Sequence, residues 1–188
     1  MRKANLGAVI VALLVVLLGI GIWFGLSYNT LVKKEERVRS AWSQVESNIQ
    51  RKADLLPQLY NVVQRYMEHE KELYEKVARL RSSALAQKNA DPAAANRLKG
   101  EVDALALRLF AVAERYPELR SSEQFLQLQS QIEGSENRIN IARMAYNEAV
   151  RDYNGYLRSF PANIVASVAG FGQKPYFEAT DKATPRGF

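Results

Sequence analysis

The sequence predicts an all-α protein: an N-terminal transmembrane helix that continues into an up-and-down antiparallel four-helix bundle and ends in an irregular C-terminal tail. Three observations predict this. An uncharged run of 21 residues, Leu6 to Leu26, stands near the start of the chain. Beyond it, apolar residues return every three or four positions, which is a helical and not a strand period. Prolines then divide that pattern into lengths suited to bundle helices.

The first element is the anchor. At about 1.5 Å per helical residue, the uncharged run spans about 31 Å, matching a hydrocarbon core of about 30 Å. Trp23 and Tyr28 stand near its exit, where interfacial aromatics sit, and Lys33 and Lys34 follow as headgroup-facing cations. Arg2 and Lys3 would also suit a signal peptide. However, the apolar run exceeds the usual 7–15 residues of a signal h-region, and no small-x-small cleavage site follows it. An uncleaved single-pass anchor is therefore expected. Its orientation is open: the short basic N-terminus favours a body on the outer, periplasmic side, while Lys33, Lys34, Arg37 and Arg39 argue for the cytoplasmic side.

The bundle helices follow in order. One heptad register takes Leu31, Val38, Val45, Lys52, Leu59 and Tyr66, and its partner takes Glu35, Trp42, Ile49, Leu56, Val63 and Glu70. No turn signal separates Leu26 from Leu31, so the first bundle helix should run straight out of the membrane helix. Pro57 removes a backbone donor and clashes with the preceding turn, so a restart of the helix there is expected, with Asp54 near the new N-terminus; a single kinked helix is the alternative. Leu73, Val77, Leu80 and Ala84 extend the stripe. Asp91-Pro92 reads as N-cap and first residue of the next helix. That helix carries Ala95, Leu98, Val102, Leu105, Leu109, Val112 and Tyr116 and should end at Pro117. Ser121 with Gln124 forms a capping-box pattern before the last long helix, whose seam is Phe125, Ile132, Ile139, Tyr146, Tyr153 and Phe160. Pro161 closes it. Four such stripes can be buried only against one another. The expected organisation is a basic tail at 1–5, the anchor at 6–27, the bundle at 28–160 and a Gly/Pro-containing tail at 161–188, within which Ile164, Val165 and Val168 suit a short helix.

Composition narrows the function. The 188 residues make one ordinary domain. With no cysteine and one histidine, disulfides, thiolate metal sites, cysteine nucleophiles and zinc sites built on two or three histidines are excluded. Glycine plus proline is 16 of 188, too little for a collagen-like or low-complexity chain. The net charge of +6 comes from 26 basic and 20 acidic residues that are interspersed, so no nucleic-acid stripe exists and no nucleic-acid partner is expected. Gly170-x-Gly172 lacks the preceding strand and the spacing of a phosphate loop.

The residues also resemble those of the LemA family of bacterial membrane proteins. The similarity runs through Tyr28-Asn29-x-Leu31-Val32, Ala41-Trp42-Ser43-Gln44, the segment Gln50 to Leu59, and His69-Glu70. It continues through Glu114-x-Tyr116-Pro117-Glu118-Leu119, Phe125-x-x-Leu128-Gln129, Glu136-Asn137, Ala142-Arg143, Tyr146-Asn147-x-Ala149-Val150, Tyr153-Asn154, Phe160-Pro161 and Tyr176-Phe177. The order and coverage carry the resemblance, not any one piece. It implies a single membrane helix followed by a four-helix domain, in the bacterial inner membrane, and it supplies no reaction. In this family the short N-terminus has been viewed as extracellular, which would put the body in the cytoplasm.

Candidate chemistry is sparse. Neighbouring helical residues point about 100° apart, so His69 and Glu70 do not form a dyad. Glu68, Glu72 and Glu75 alternate with Lys71, Lys76 and Arg79 as a solvated, salt-bridged face, and the Glu-x-x-His pattern of a di-metal bundle is absent. No catalytic residue, cofactor or metal is expected. Tyr-Asn occurs four times, and Asn140, Asn147 and Asn154 repeat every seven residues beside the aromatic seam. Such a stripe fits helix pairing, an intermolecular contact or a ligand cleft. The candidate interaction residues are therefore Trp42, Tyr60, Arg143, Tyr146, Asn147, Tyr153 and Asn154, with Phe171, Tyr176 and Phe177 in a tail that must dock on the bundle, the bilayer or a neighbour. The function these readings favour is a non-enzymatic, membrane-anchored scaffold that self-associates into homo-oligomers and contacts other membrane proteins. The alternative is a tethered sensor or adaptor that binds a small ligand or peptide in a cleft lined by Asn147 and Arg143.

Overall fold

The computed structural model describes the backbone of residues 2–66, 71–86 and 91–178, and the side chains of residues 7–66, 73–86 and 91–178. Every regular element among them is helical: α1 (Arg2–Val63), continued by a 3-10 turn at Gln64–Tyr66, α2 (Lys71–Ala86), α3 (Pro92–Ala113), α4 (Pro117–Arg120), α5 (Glu123–Arg158) and α6 (Ala162–Ala169). The chain divides into two compact units. One comprises Met1–Arg39 with Ala149–Lys174, and the other Ser40–Glu148 with Pro175–Phe188.

In the first unit, the described part of the apolar run is uncovered almost throughout. Its side chains from Val9 to Ile22 are mostly more than half exposed, and the run is long and apolar enough to cross a membrane. A water-soluble surface does not carry such a band, whereas a bilayer requires it. At Ser27 the pattern changes. Ser27, Leu31 and Val38 are buried while the residues between them are mostly not, so the all-round apolar helix becomes one with a single buried stripe. Opposite lie Val150, Tyr153 and Asn154 of α5 and Ala162, Val165 and Ala166 of α6, all buried. The Phe160–Pro161 peptide bond between α5 and α6 is cis. Gly170 ends α6 with φ +76°, a left-handed conformation that a Cβ disfavours, and the amide of Phe171 closes the turn on the Ala166 carbonyl at 2.9 Å.

In the second unit, α1, α2, α3 and α5 each bury one stripe, represented by Val45, Ile49, Leu56 and Leu59 on α1, Leu73, Val77 and Leu80 on α2, Leu98, Val102, Leu105 and Leu109 on α3, and Phe125, Ile132 and Ile139 on α5. Side-chain contacts join them: Tyr60 of α1 packs on Tyr74 of α2, and Phe110 of α3 meets Phe125 of α5 edge-on. This is consistent with the four-helix bundle that the stripes call for.

The anchor and the first bundle helix are one continuous helix, as expected. The restart at Pro57 does not occur: α1 runs through it to Val63. The proline deprives the Ala53 carbonyl of its donor and costs about 3 kcal/mol in a helix interior. Around it, Leu55, Leu56, Leu59, Tyr60 and Val63 are all buried. A break would turn these side chains out of phase with the core, and burial of each is worth about 1.5–3 kcal/mol, so packing wins. Asp91 caps α3 as expected, accepting from the Ala94 amide at 2.6 Å, with Pro92 as the first helical residue. Pro117 does not end α3, which stops at Ala113; it opens α4 instead. The cap of α5 falls one residue later than Ser121. Ser122 accepts from the Phe125 amide through its hydroxyl and from Leu126 through its carbonyl, while Ser121 ends α4.

Because the proline is tolerated and not required, Pro57→Ala should restore the missing hydrogen bond and stabilise the protein by about 1–3 kcal/mol. Denaturant unfolding in detergent measures this, and a lower midpoint for the variant would show that Pro57 is needed for the path of α1.

Candidate functional site

The residues from Phe171 to Glu178 have no regular structure. Their backbone polar groups need partners, because buried amides and carbonyls are costly to leave unpaired. Side chains of α5 supply them, in the same pattern within each unit. In the first unit, the Asn154 amide grips Lys174 at both ends: Nδ2 donates to the Lys174 carbonyl and Oδ1 accepts from its N–H, each at 2.9 Å. The Tyr153 hydroxyl donates to the Gly172 carbonyl at 3.0 Å. The Lys174 ammonium pairs with Glu35 at 2.6 Å and lies over the Tyr153 ring. In the second unit, Asn147 grips Phe177 in the same two-ended way, both bonds at 2.9 Å, and the Tyr146 hydroxyl donates to the Pro175 carbonyl at 2.8 Å. Trp42 closes over this clasp. Its ring centroid is 4.9 Å from Tyr146 and 5.7 Å from Phe177, and Phe177 is 1 % exposed.

Each clasp is thus a Tyr-Asn pair. The Asn binds both backbone groups of one tail residue, and the Tyr binds the carbonyl two residues before it. Burial pushes the Tyr146 phenol up to about 12. Burial also raises the Tyr153 phenol, with the Glu35 carboxylate adding to it. Both hydroxyls therefore remain donors at ordinary pH.

A second polar constellation lies within the second unit, and the seam analysis did not single it out. The ammonium of Lys52 on α1 bonds Asp103 of α3 and, at 2.6 Å, Glu136 of α5. Lys99 of α3 bonds the other oxygen of each acid, at 2.7 Å to Asp103 and 2.8 Å to Glu136. Two cations and two anions form a closed, neutral ring across three helices. Lys52 and Lys99 are buried, at 5 % and 7 % exposure. Burial disfavours the charged form of Lys99, but its hydrogen bonds and charge attraction to Asp103 and Glu136 outweigh this and hold its pKa above the ordinary value. Burial likewise opposes ionisation of Glu136, and Lys52 and Lys99 outweigh it, holding the carboxyl below its ordinary value. The sequence did carry one signal: Lys52 occupies a core register position, where a lysine needs anions.

The remaining predicted residues fall elsewhere. Tyr60 is buried on Tyr74, centroids 5.9 Å apart. Arg143 is half-buried and is not part of the clasp contacts. Tyr176 is 48 % exposed and lines a recess of about 300 Å³ with Asp91, Asn96 and Glu178. Phe171 packs edge-on against Tyr28, centroids 5.6 Å apart. Trp23 is half-buried, and Lys33 is exposed. Lys34 is half-buried, ion-paired to Asp152 at 2.7 Å and over the Tyr156 ring. His69, Glu68 and Glu70 lie outside the described residues.

Comparison with known proteins agrees with this architecture. The LemA family profile matches residues 41–186, which takes in the body from Trp42 through the clasped tail. The chain belongs to the LemA family. Protein LemA of Metamycoplasma hominis is 24 % identical over 153 residues, 81 % of this chain and 69 % of that protein. Magnetosome protein MamQ 2 of Paramagnetospirillum magneticum is 34 % identical over 71 residues, 38 % of this chain. Magnetosome protein MamQ of Magnetospirillum gryphiswaldense is 29 % identical over 70 residues, 37 % of this chain. In both magnetosome proteins the match covers only 26 % of their length.

Two predictions follow from the geometry. The stability from Glu136 is present above its ordinary pKa of 4.5 and is lost as pH falls through the lowered folded value. That from Lys99 is full below 10.5 and is lost as pH rises through the raised folded value. Denaturant midpoints measured against pH should therefore be level between these limits and fall at both ends. Tyr146 and Tyr153 share the alkaline limb, so the acid limb is diagnostic: Glu136→Gln should lower stability at neutral pH and flatten that limb. An acid limb unchanged in the variant would remove Glu136 from the account. At the clasp, Asn147→Asp loses the donor to the Phe177 carbonyl and should cost about 1–3 kcal/mol. The same change at Asn140, which takes no part in either clasp, should alter the midpoint little. Equal effects at the two positions would refute the clasp.

Proposed function

We propose that this LemA-family protein is a membrane-anchored, non-enzymatic scaffold that self-associates and presents a helical face to other membrane proteins. The reading includes a single pass through a bacterial inner membrane with the body on the periplasmic side, supported by the short basic N-terminus ahead of a long C-terminal body. The polar clusters that come together among the described residues are satisfied by one another: the four charges close on themselves, and the Tyr-Asn pairs are taken up by the tail.

The observation that carries the reading is on α5. Ile141 and Met144 are 59 % and 69 % exposed. Three residues apart, they share one face of the helix. Adjacent large apolar side chains left in water mark a contact surface more often than isolated ones do. A second copy of the same helix face is the simplest partner, because a two-fold contact uses one patch twice.

A tethered sensor remains the second reading, and one observation favours it. A recess of about 580 Å³ is lined by α2 and α3, with Leu80 and Leu105 as apolar lining and three cations, Lys76, Arg79 and Arg108, to one anion, Glu101. That lining suits an anion with an apolar body. An anionic amphiphile that raised the melting temperature of the wild type, but not of Arg79→Glu, would favour it.

The scaffold reading is tested by mass measurement in detergent at several protein concentrations. The wild type should exceed monomer mass, and Ile141→Glu combined with Met144→Glu should reduce it to monomer without loss of helicity. A wild type that stays monomeric at high concentration sinks self-assembly. An assembled double variant would move the contact away from this face.

A further inference from the structure

Between Arg158 and Lys174 the chain carries no charged residue. This stretch holds the end of α5, the cis-proline corner and all of α6. Within it Phe160 is 81 % exposed, Ile164 50 % and Val168 73 %. Spaced four residues apart, Ile164 and Val168 form one stripe along α6, and Phe160 stands exposed at the corner just before it. The opposite face, Ala162, Val165 and Ala166, is the one buried in the unit. α6 therefore carries apolar side chains on both sides but is covered on only one, and the uncovered side also holds the uncharged Asn163 and Ser167.

The position of this stripe relative to the anchor follows from contacts within the same unit. The Ser27 hydroxyl meets the Tyr156 hydroxyl at 3.2 Å, and Lys34 pairs with Asp152 at 2.7 Å. Rising numbers on α1 meet falling numbers on α5, so the two helices are antiparallel here. Ser27 is the first residue beyond the apolar run that ends at Leu26, and the first charge on that side is Lys33. Tyr156 thus stands at the end of the membrane span, and the last turn of α5, to Arg158, carries the chain on towards the level of the span before Phe160. The return is fixed at the same height, because Phe171 packs on Tyr28. Both ends of the segment are pinned at the boundary of the span, and α6 lies between them. The span itself gives an independent sign: Trp23 and Phe24 are half-buried, whereas their neighbours Ile20 and Ile22 are more than half exposed.

We infer that α6 and the Phe160–Pro161 corner are a second membrane contact, with Phe160, Ile164 and Val168 immersed in the interfacial layer of the bilayer that α1 crosses. Interfacial helices seat their apolar face about 5–10 Å into the boundary between headgroups and acyl chains. The depth of residue 23, where an interfacial aromatic sits, is that depth. Charge-free chain is what such a layer tolerates; Arg158 is the last charge before it, and Lys174, the next, is held well outside it on Glu35. This unit is then held to the bilayer at two points, the span of α1 and the exposed stripe of α6.

The natural absence of cysteine allows one reporter to be placed at a time in the full-length protein. Val168→Cys, labelled with an environment-sensitive fluorophore, is compared in phosphatidylglycerol/phosphatidylcholine vesicles with Leu18→Cys in the span and Ser82→Cys on α2. The expected result is a blue-shifted label at position 168 that loses most of its emission to acyl-chain-brominated lipid and is shielded from aqueous iodide, as at position 18. Quenching by iodide and not by brominated lipid, as at position 82, overturns the inference. So does a label shielded from both that becomes iodide-accessible on dilution into more lipid, since a second copy would then be what covers the face. Self-association is read separately from mass, so failure here leaves the scaffold reading standing.

Discussion

One unbroken helix has to satisfy two solvents, and the first unit is arranged around the place where it changes from one to the other. In hydrocarbon, backbone groups can be satisfied only within the helix, and the side chains must be apolar all round. In a water-facing body, the same helix must be apolar on one stripe only. α1 makes the change at Ser27, the first buried polar side chain after the span. A buried hydroxyl needs a partner, and Tyr156 provides it. That one bond sets the register of α5 against α1, from which the pairing of Lys34 with Asp152 and of Phe171 with Tyr28 follows.

The body shows a second rule, that polar groups are brought inside in closed sets. A tail without regular structure cannot pair its own backbone, so α5 offers amides and phenols at helical spacing to do it. The four-charge ring works in the same way. Replacing a buried ion pair by apolar residues is often neutral, so such a ring is a poor explanation of stability by itself. Its better-supported role is specificity. Leu or Ile at these positions would let α1, α3 and α5 slide or rotate, whereas each lysine here is satisfied only when both acids are in place. Removing one acid leaves two buried lysines sharing the other, and removing one lysine leaves two acids sharing one cation, so the set is neutral only when all four are in place.

Much of this was legible in the sequence, and what was not has physical reasons. The anchor, the stripes and the Asp91 cap depend on local spacing, and each appears where spacing puts it. Pro57 was misread because local chemistry opposes a helix there, and only the burial of Leu56, Leu59 and Val63 decides otherwise. The cap of α5 moved by one residue because Ser121 and Ser122 offer the same group side by side. The asparagine stripe was visible, but its ligand was not: the tail residues it grips are recognised through their backbone, which has no sequence signature. The ring was hidden because Asp103 and Glu136 read as surface acids on separate helices, and only tertiary packing brings them to Lys52.

α6 shows why exposure must be read together with position. An apolar, uncharged helix with one face uncovered is an aggregation hazard in a body surrounded by water. By the membrane contact inferred for α6, the same helix, tethered at both ends to residues 27 and 28 of a membrane-crossing helix, would stand where water gives way to lipid. There its apolar face needs no protein partner, and the lack of charge that looks anomalous in a soluble domain becomes a requirement. Ile141 and Met144 on α5 have comparable exposure, and charged residues flank them in sequence. The two proposals therefore assign these surfaces different partners, lipid to the stripe of α6 and protein to Ile141 and Met144, and what supports the lipid assignment is the pinning of Tyr156 on Ser27 and of Phe171 on Tyr28.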